Sequence, residues 1–243
     1  MKEKLAGVNS IMEAIKGKRK IHKIFVEEGR AGKKVQDLVK LAASRGIYIQ
    51  EVSKQRLNDM YTVGNHQGMV AEVDNYEYCS IEEVLEDAAL SGEPPFLLML
   101  DGLEDPQNFG SVIRSAEAAG VHGVIIPRHN SVEVTPAVAR ASAGAVEHMK
   151  VVLAPNLVNT IKYLKEQGLW VVGADMDGQA YQSVEFPVPT VLVIGGEGRG
   201  IRRLVKENCD LVVKIPMYGQ INSLNASAAA AVLLFEAVRQ KNI

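Results

Sequence analysis

The sequence predicts an α/β fold with a mostly parallel sheet. Three observations carry this. Strand-like and helix-period segments alternate from end to end. Two turns, 101–110 and 194–200, each follow a strongly apolar run directly and open a helix. Finally, 47% of the 243 residues are apolar, ample for the core of one large or two ordinary domains.

In the front part, periodicity predicts helix over 9–16, strand over 21–26, helix over 33–44, strand over 47–50, helix over 53–61 and strand over 68–73, a compact three-layer unit. The stretch 74–94 holds a short acidic helix, 81–90, and the turn Ser91-Gly92-Glu93-Pro94-Pro95, which places the linker there. The expected domains are therefore 1–75 and 95–243, with 76–94 between them. Further strands are expected at 96–100, 123–126, 150–153, 169–174, 190–194 and 211–215, with helices between. A final helix, 226–240, is expected to bury Val232, Leu233 and Phe235, with Ser223 as its N-cap.

Charge separates the two parts. Residues 1–75 carry 14 Lys/Arg against 9 Asp/Glu and residues 76–243 carry 13 against 20, although the whole chain has a net charge of only −2. Lys16, Lys18, Arg19, Lys20 and Lys23 fall within eight positions, suited either to RNA phosphates or to a solvated loop. No apolar signal region opens the chain, and no apolar run is long enough to span a membrane, so a soluble cytoplasmic protein is expected. Cys79 and Cys209 form no spaced metal pair. No metal is expected, and two isolated thiols suit a reducing compartment. His122, His129 and His148 are scattered, as surface or core residues are.

Gly195-Gly196-Glu197-Gly198-Arg199-Gly200 does not fit G-x-G-x-x-G, lies near the chain's end, and lacks an acidic ribose ligand about 20 residues on. A nicotinamide site is thereby excluded. A Walker loop fails as well, because no Gly-Lys-Ser/Thr follows a glycine-rich turn. Two readings stay open for this loop: a tight turn needing positive φ, or a site where backbone approaches a ligand and Glu197 meets it. Residues 221–230 set Ser223, Asn225 and Ser227 where an apolar helix begins, which capping alone would also explain.

Together these segments resemble the SpoU/TrmH family of RNA ribose 2′-O-methyltransferases, within the SPOUT class. The first motif, Asn then Arg six residues on, is matched by Asn108 and Arg114 after Leu100-Asp101; the second, a strand ending in Gly-x-Glu-Gly, by residues 192–198. The third is matched by Ile215-Pro216-Met217 and Ser223-Leu224-Asn225-Ala226-Ser227. Gly196 and Ala226 depart from the residues most frequent in relatives, but neither departure removes a functional group. Gly7-Val8-Asn9-Ser10, Ile24-Phe25-Val26 and His66-Gln67-Gly68 resemble the ribosomal-L30e-like substrate-binding domain of the bacterial enzyme that methylates a guanosine ribose in 23S rRNA.

The resemblance implies a SPOUT-type α/β domain with a C-terminal trefoil knot, a small N-terminal L30e-like α/β domain, a homodimer, and S-adenosylmethionine as cofactor. It assigns cofactor contacts to Gly195, Gly196, Ile215 and Leu224, with glycines leaving room for the ligand, so that Gly195→Val would weaken binding without harming the fold. It assigns the chemistry to Asn108, Arg114, Glu197, Ser223 and Asn225. The family gives its motif-one Arg the activation of the hydroxyl; since arginine holds its proton too tightly for an easy base, Arg114 is expected to grip the substrate phosphate and polarise the hydroxyl, any base role depending on that contact, with the other four orienting Arg114 and the ribose by hydrogen bonds. A tRNA ribose as target, or a non-catalytic RNA-binding module, are the alternatives. A piece starting near Ser91 is expected to fold alone.

Overall fold

The computed structural model describes residues 2–198 and 200–241. In chain order it begins with β1 (Lys2–Ala6), α1 (Val8–Lys16), β2 (Ile21–Glu27), α2 (Lys33–Ser44), β3 (Ile49–Val52), α3 (Lys54–Met60) and β4 (Met69–Asp74). Then come α4 (Ile81–Ser91), β5 (Phe96–Asp101), α5 (Pro106–Ala118), β6 (Gly123–Pro127), α6 (Pro136–Ala141) and a 3-10 turn, Ala145–His148. The remainder holds β7 (Val151–Ala154), α7 (Leu157–Glu166), β8 (Trp170–Ala180), a 3-10 turn at Tyr181–Ser183, β9 (Thr190–Gly195), α8 (Arg203–Lys206), β10 (Leu211–Lys214) and α9 (Ala226–Lys241). Two compact units result: Met1–Glu77 with Val134–His148, and Tyr78–Glu133 with Met149–Ile243.

The first unit is built on a sheet of order β1-β4-β2-β3. Only β2 and β3 run parallel, while β4 is antiparallel to both its neighbours. The mostly parallel expectation fails here because β4 runs antiparallel both to β2 and to β1, a strand periodicity did not mark, paired from Lys2↔Asp74 to Ala6↔Val70. Successive strand residues face opposite sides of this sheet. Phe25 and Val70, register partners, cluster with Leu57 of α3 and with Tyr61, which caps that helix. The alternate residues Leu5, Ile24 and Ala71 are fully buried too, so both faces of the sheet are covered.

Segment 134–148, expected within the rear domain, belongs to this first unit. Ser10 Oγ donates to the Ala139 carbonyl at 3.2 Å and Arg140 Nη1 to the Val63 carbonyl at 3.2 Å. Its 3-10 turn brings Glu147 Oε2 to 3.0 Å from Arg19 Nε, while Arg19 Nη1 lies 3.2 Å from Glu3 Oε2. The Arg19 side chain is only 5% exposed. Burial pushes the carboxyl pKa of both Glu147 and Glu3 up, against the lowering influence of Arg19.

The second unit has six parallel strands in the order β10-β8-β9-β5-β6-β7. Every residue of β5 and β6 is buried, as strands covered on both faces by helices require. The expected linker carries α4 instead. A Ser80–Glu83 capping box opens this helix, Gly92 at φ 74° closes it, and Val84 and Ala88 are buried. Val84 packs in the same apolar cluster as Leu97, Ile125 and Ile161, so 81–91 is core, not connection. The strand order reverses at β5, which lies between β9 and β6, and its last residue Asp101 is the register partner of Gly195. Ligands of α/β sheets bind at the carboxyl ends of strands beside such a reversal.

Helix α9 packs on α5 and β9. Ala230, Leu233, Leu234 and Ala237 form its buried stripe at helical spacing. Val232 and Phe235, expected inside, fall on the opposite face of the helix and are 36% and 48% exposed. Among the described residues no helix is long and apolar enough to cross a membrane.

Burial pushes the Cys79 thiol up and that of Cys209 to about 11. Since the thiolate is the reactive form, iodoacetamide at pH 8 should alkylate both far more slowly than it alkylates free glutathione. Mass spectrometry over a time course reads this, and equal rates would contradict the burial described.

Candidate active site

Three segments of the second unit meet through their amides. Asp105 caps α5, accepting the Asn108 N–H on Oδ2 at 2.8 Å, with Pro106 at the first helical position. Glu197 lies in the loop after β9, and Asn225 immediately precedes α9. Glu197 Oε1 accepts from Asn108 Nδ2 and from Asn225 Nδ2, each at 2.8 Å, and Asn225 Nδ2 also reaches Asn108 Oδ1 at 2.8 Å.

Asn225 is the cap of α9, in place of the expected Ser223. Its Oδ1 accepts the N–H groups of Ser227 at 2.9 Å and Ala228 at 3.4 Å, the second and third helical positions. With the acceptor end turned to the helix, the donor end has to face Glu197. Asparagine supplies both ends at once; serine would lack the donor pair, and aspartate would bring a second negative charge.

The loop carrying Glu197 is held by hydrogen bonds to the chain around it. The Gly196 N–H donates to the Asp101 carbonyl at 2.9 Å and the Gly200 N–H to the Gly196 carbonyl at 3.2 Å. The buried Asp101 carboxylate takes the Arg202 N–H at 2.7 Å and Arg202 Nε at 2.6 Å. A Cβ on Gly195 would overlap the Gly200 and Ile201 backbone, and one on Gly196 the Gly102 carbonyl. Gly195→Val would therefore break the loop itself, which corrects the expectation that it would leave the fold intact. Gly198 and Gly200, at φ 76° and 61°, meet the turn's need for positive φ.

Beside this loop lies a cavity of about 660 Å³, within the range of small-ligand sites. Gly195, Gly196, Glu197, Ile215, Ser223, Leu224 and Asn225 all line it, as does apolar surface from Ile194, Val213 and Leu233. Asn108 reaches the group only through its bonds to Glu197 and Asn225. Arg114 does not join them. Six residues further along α5 it stands about 9 Å away along the axis and roughly 120° around it, exposed and, among the described residues, without a hydrogen-bond or ion-pair partner. Among the described residues none of Asn108, Glu197, Ser223 and Asn225 is hydrogen-bonded to Arg114.

Asp175 and Met176, not singled out in the sequence, form another wall of the cavity. Strand β8 runs six residues past its expected end, and Asp175 Oδ1 is held by Lys206 Nζ at 2.6 Å. The signal was there: an acidic residue directly after an apolar strand, as at Asp101. In the first unit the basic cluster does not act as one patch. Arg19 is withdrawn into its buried ion pairs, Lys16 pairs with Glu13 at 2.8 Å, and the Lys23 ammonium sits 4.9 Å above the Tyr48 ring, while Lys18 and Lys20 are exposed. His122 accepts the Phe96 N–H at 3.1 Å and His148 pairs with Glu13 at 2.8 Å, both structural contacts.

The sequence was compared with known families and structures. The model described as the SpoU rRNA Methylase family matches residues 95–235, and the one described as RNA 2′-O ribose methyltransferase substrate binding matches residues 4–79. A Bacillus subtilis chain named as a TrmH family tRNA/rRNA methyltransferase, YacO, is 44% identical over 237 residues, 97% of this chain and 95% of its own. The SpoU methyltransferase AviRb from Streptomyces viridochromogenes, solved with AdoMet, is 25% identical at TM-score 0.81, covering 99% of this chain and 91% of its own. A TrmH/SpoU tRNA modifying enzyme from A. aeolicus, 25% identical at TM-score 0.56, covers 66% of this chain and 84% of its own. With one family model spanning more than half of the chain and a relative matched over nearly its whole length, the chain belongs to the SpoU (TrmH) family of RNA methyltransferases, whose cofactor is S-adenosylmethionine.

Proposed function

We propose that this chain methylates the ribose 2′-hydroxyl of a guanosine in 23S rRNA, acting in the cytoplasm as a homodimer. The observation that carries the reading is the Asn108–Glu197–Asn225 group at the rim of the glycine-lined cavity. The residues present fit the cofactor: apolar Ile215 and Leu224 suit an adenine, and the polar rim suits the ribose and amino-acid ends. Bound there, S-adenosylmethionine supplies an electrophilic methyl group on a sulfonium.

The chain's own residues do the rest. Glu197 Oε1 is occupied by two amides, which fixes the carboxylate and leaves Oε2 to accept from a substrate hydroxyl. Arg114 takes the adjoining phosphate in a bidentate grip. The knot is supported by the return of the chain, after edge strand β10, to pack α9 on β9 and α5. The dimer is supported by the apolar groups left outside on Tyr218, Ile221 and Phe235. A ribosomal target is supported by the front unit, since the tRNA modifying enzyme spans only 66% of this chain.

The test is transfer of labelled methyl to unmodified 23S rRNA and to tRNA, followed by mapping of 2′-O-methyl positions. Label on tRNA alone, or on a base, would overturn the reading. In the same assay Arg114→Ala should lower kcat about 100-fold, as loss of one aligned transition-state donor does, with cofactor affinity unchanged. Arg114→Lys should restore little, because an ammonium lacks the planar fork.

A further inference from the structure

The first unit holds its own hollow, of about 480 Å³, where the His66-Gln67-Gly68 stretch lies. Glu27, Arg30, Lys54, Asn58, Asn65 and Gln67 line it. His66 is 6% exposed and its ring is fully committed. Nδ1 accepts the Gly68 N–H at 3.0 Å, so the proton is on Nε2, which donates to Asn58 Oδ1 at 2.9 Å. With its acceptor end held, Asn58 keeps both amide hydrogens for the hollow. Asn65 does likewise: its Oδ1 accepts the Gln67 N–H at 2.8 Å, leaving its NH2 free. Among the described residues the side chains of Arg30 and Lys54 have no ion-pair or hydrogen-bond partner. Donors thus outnumber the single carboxylate, Glu27, and a site so built takes a ligand rich in acceptors.

The geometry points to this hollow as the binding site for one unstacked nucleotide of RNA. Its phosphate lies against Arg30 and Lys54, base acceptors meet the Asn58 and Asn65 amides, and Glu27 accepts from a base N–H. A free inorganic anion would use the two cations but leave the amides idle. In a duplex the Watson–Crick edges are already paired and the bases stacked, so contacts of this kind select a single strand. The inference rests on the chain's being an RNA methyltransferase, and it assigns RNA contact to residues other than the 16–23 cluster.

The experiment is fluorescence anisotropy of the full chain with a short labelled single-stranded RNA of mixed sequence, and with its duplex, across a salt titration. Arg30→Ala and Lys54→Ala should each weaken single-strand binding several-fold and lower the salt slope by about 0.7. Lys40→Ala, which removes the same charge outside the hollow, should change affinity less than either. Asn58→Ala risks freeing His66, so Asn58→Asp is the sharper variant: it keeps the oxygen that His66 needs, removes both donors, and should cost about tenfold or more in affinity. Cofactor affinity, read by calorimetry, should stay unchanged throughout. Parental affinity and slope in the Arg30→Ala, Lys54→Ala double variant would overturn the inference, as would duplex binding as tight as single-strand binding. If the parent chain bound cofactor and methylated RNA yet ignored the single strand, the hollow would be rejected while the methyltransferase reading stood.

Discussion

Asn225→Asp is expected to leave a folded protein whose methyl transfer falls by about 100-fold or more. Aspartate caps helices as well as asparagine does, so the Ser227 and Ala228 N–H groups stay satisfied and α9 keeps its start. The change acts at the other end of the side chain. Where Nδ2 now donates to Glu197 Oε1 at 2.8 Å, a second carboxylate oxygen would sit against it. Two carboxylates that close cannot both stay ionised in their present places: the pair takes up a proton, or Glu197 swings away from the rim. Asn225→Ser keeps a cap without the added charge and should be hit less. Thermal melting, cofactor calorimetry and transfer rate on the three proteins separate the effects, and near-parental turnover in Asn225→Asp would remove Glu197 from the chemistry.

Arg19→Ala should have the largest effect on stability, about 3–5 kcal/mol, because it strips the counter-charge from two carboxylates at a buried site. Removal of an RNA contact would cost the fold nothing, so the experiment also decides between the two roles. The pH dependence has a definite sign. Burial holds the folded pKa of Glu3 and Glu147 above 4.5, so the stability of their protonated forms is fully present below the ordinary carboxylate range and is lost as pH rises through the folded values. Arg19→Ala should therefore be closest to the parent near pH 4.5 and worst at pH 8. Glu147→Gln, neutral and of nearly the same shape, should rescue part of the loss. Hydrogen exchange of β1 and β4 reads the unit directly, and unchanged protection at pH 8 would place Arg19 outside the framework.

The rear unit was legible where chemistry and periodicity coincide. The buried parallel strands announced themselves as apolar runs; Asp101 closes β5 and Glu197 follows β9, while Asn225, the start of α9, bonds to Glu197 across the chain. What could not be read were the long-range pairings. β1 is a strand because β4 lies beside it, and nothing in Lys2-Glu3-Lys4-Leu5-Ala6 alone says so. Arg19 looks like its lysine neighbours until Glu147, far along the chain, arrives to bury it. Val232 and Phe235 were expected inside beside Leu233, whereas the smaller Ala230 and Ala237 share the buried stripe with Leu233 and Leu234. The helix at 81–91 was legible, but its place was not: the turn Ser91-Gly92-Glu93-Pro94-Pro95 put it in the linker, whereas its buried Val84 and Ala88 join the core of the rear unit.

Because residues 134–148 belong to the first unit, the chain enters that unit twice and the junctions fall at three places, near 77, 133 and 148. A piece starting near Ser91 would discard α4 from its own core and keep α6 and Glu147 with nothing to pack on. Such a unit cannot be moved between proteins as a single cut-and-paste cassette. To move the whole of it, this chain has to be cut at the ends of the front segment and again in the middle, so the front unit and its visiting segment have to be engineered together.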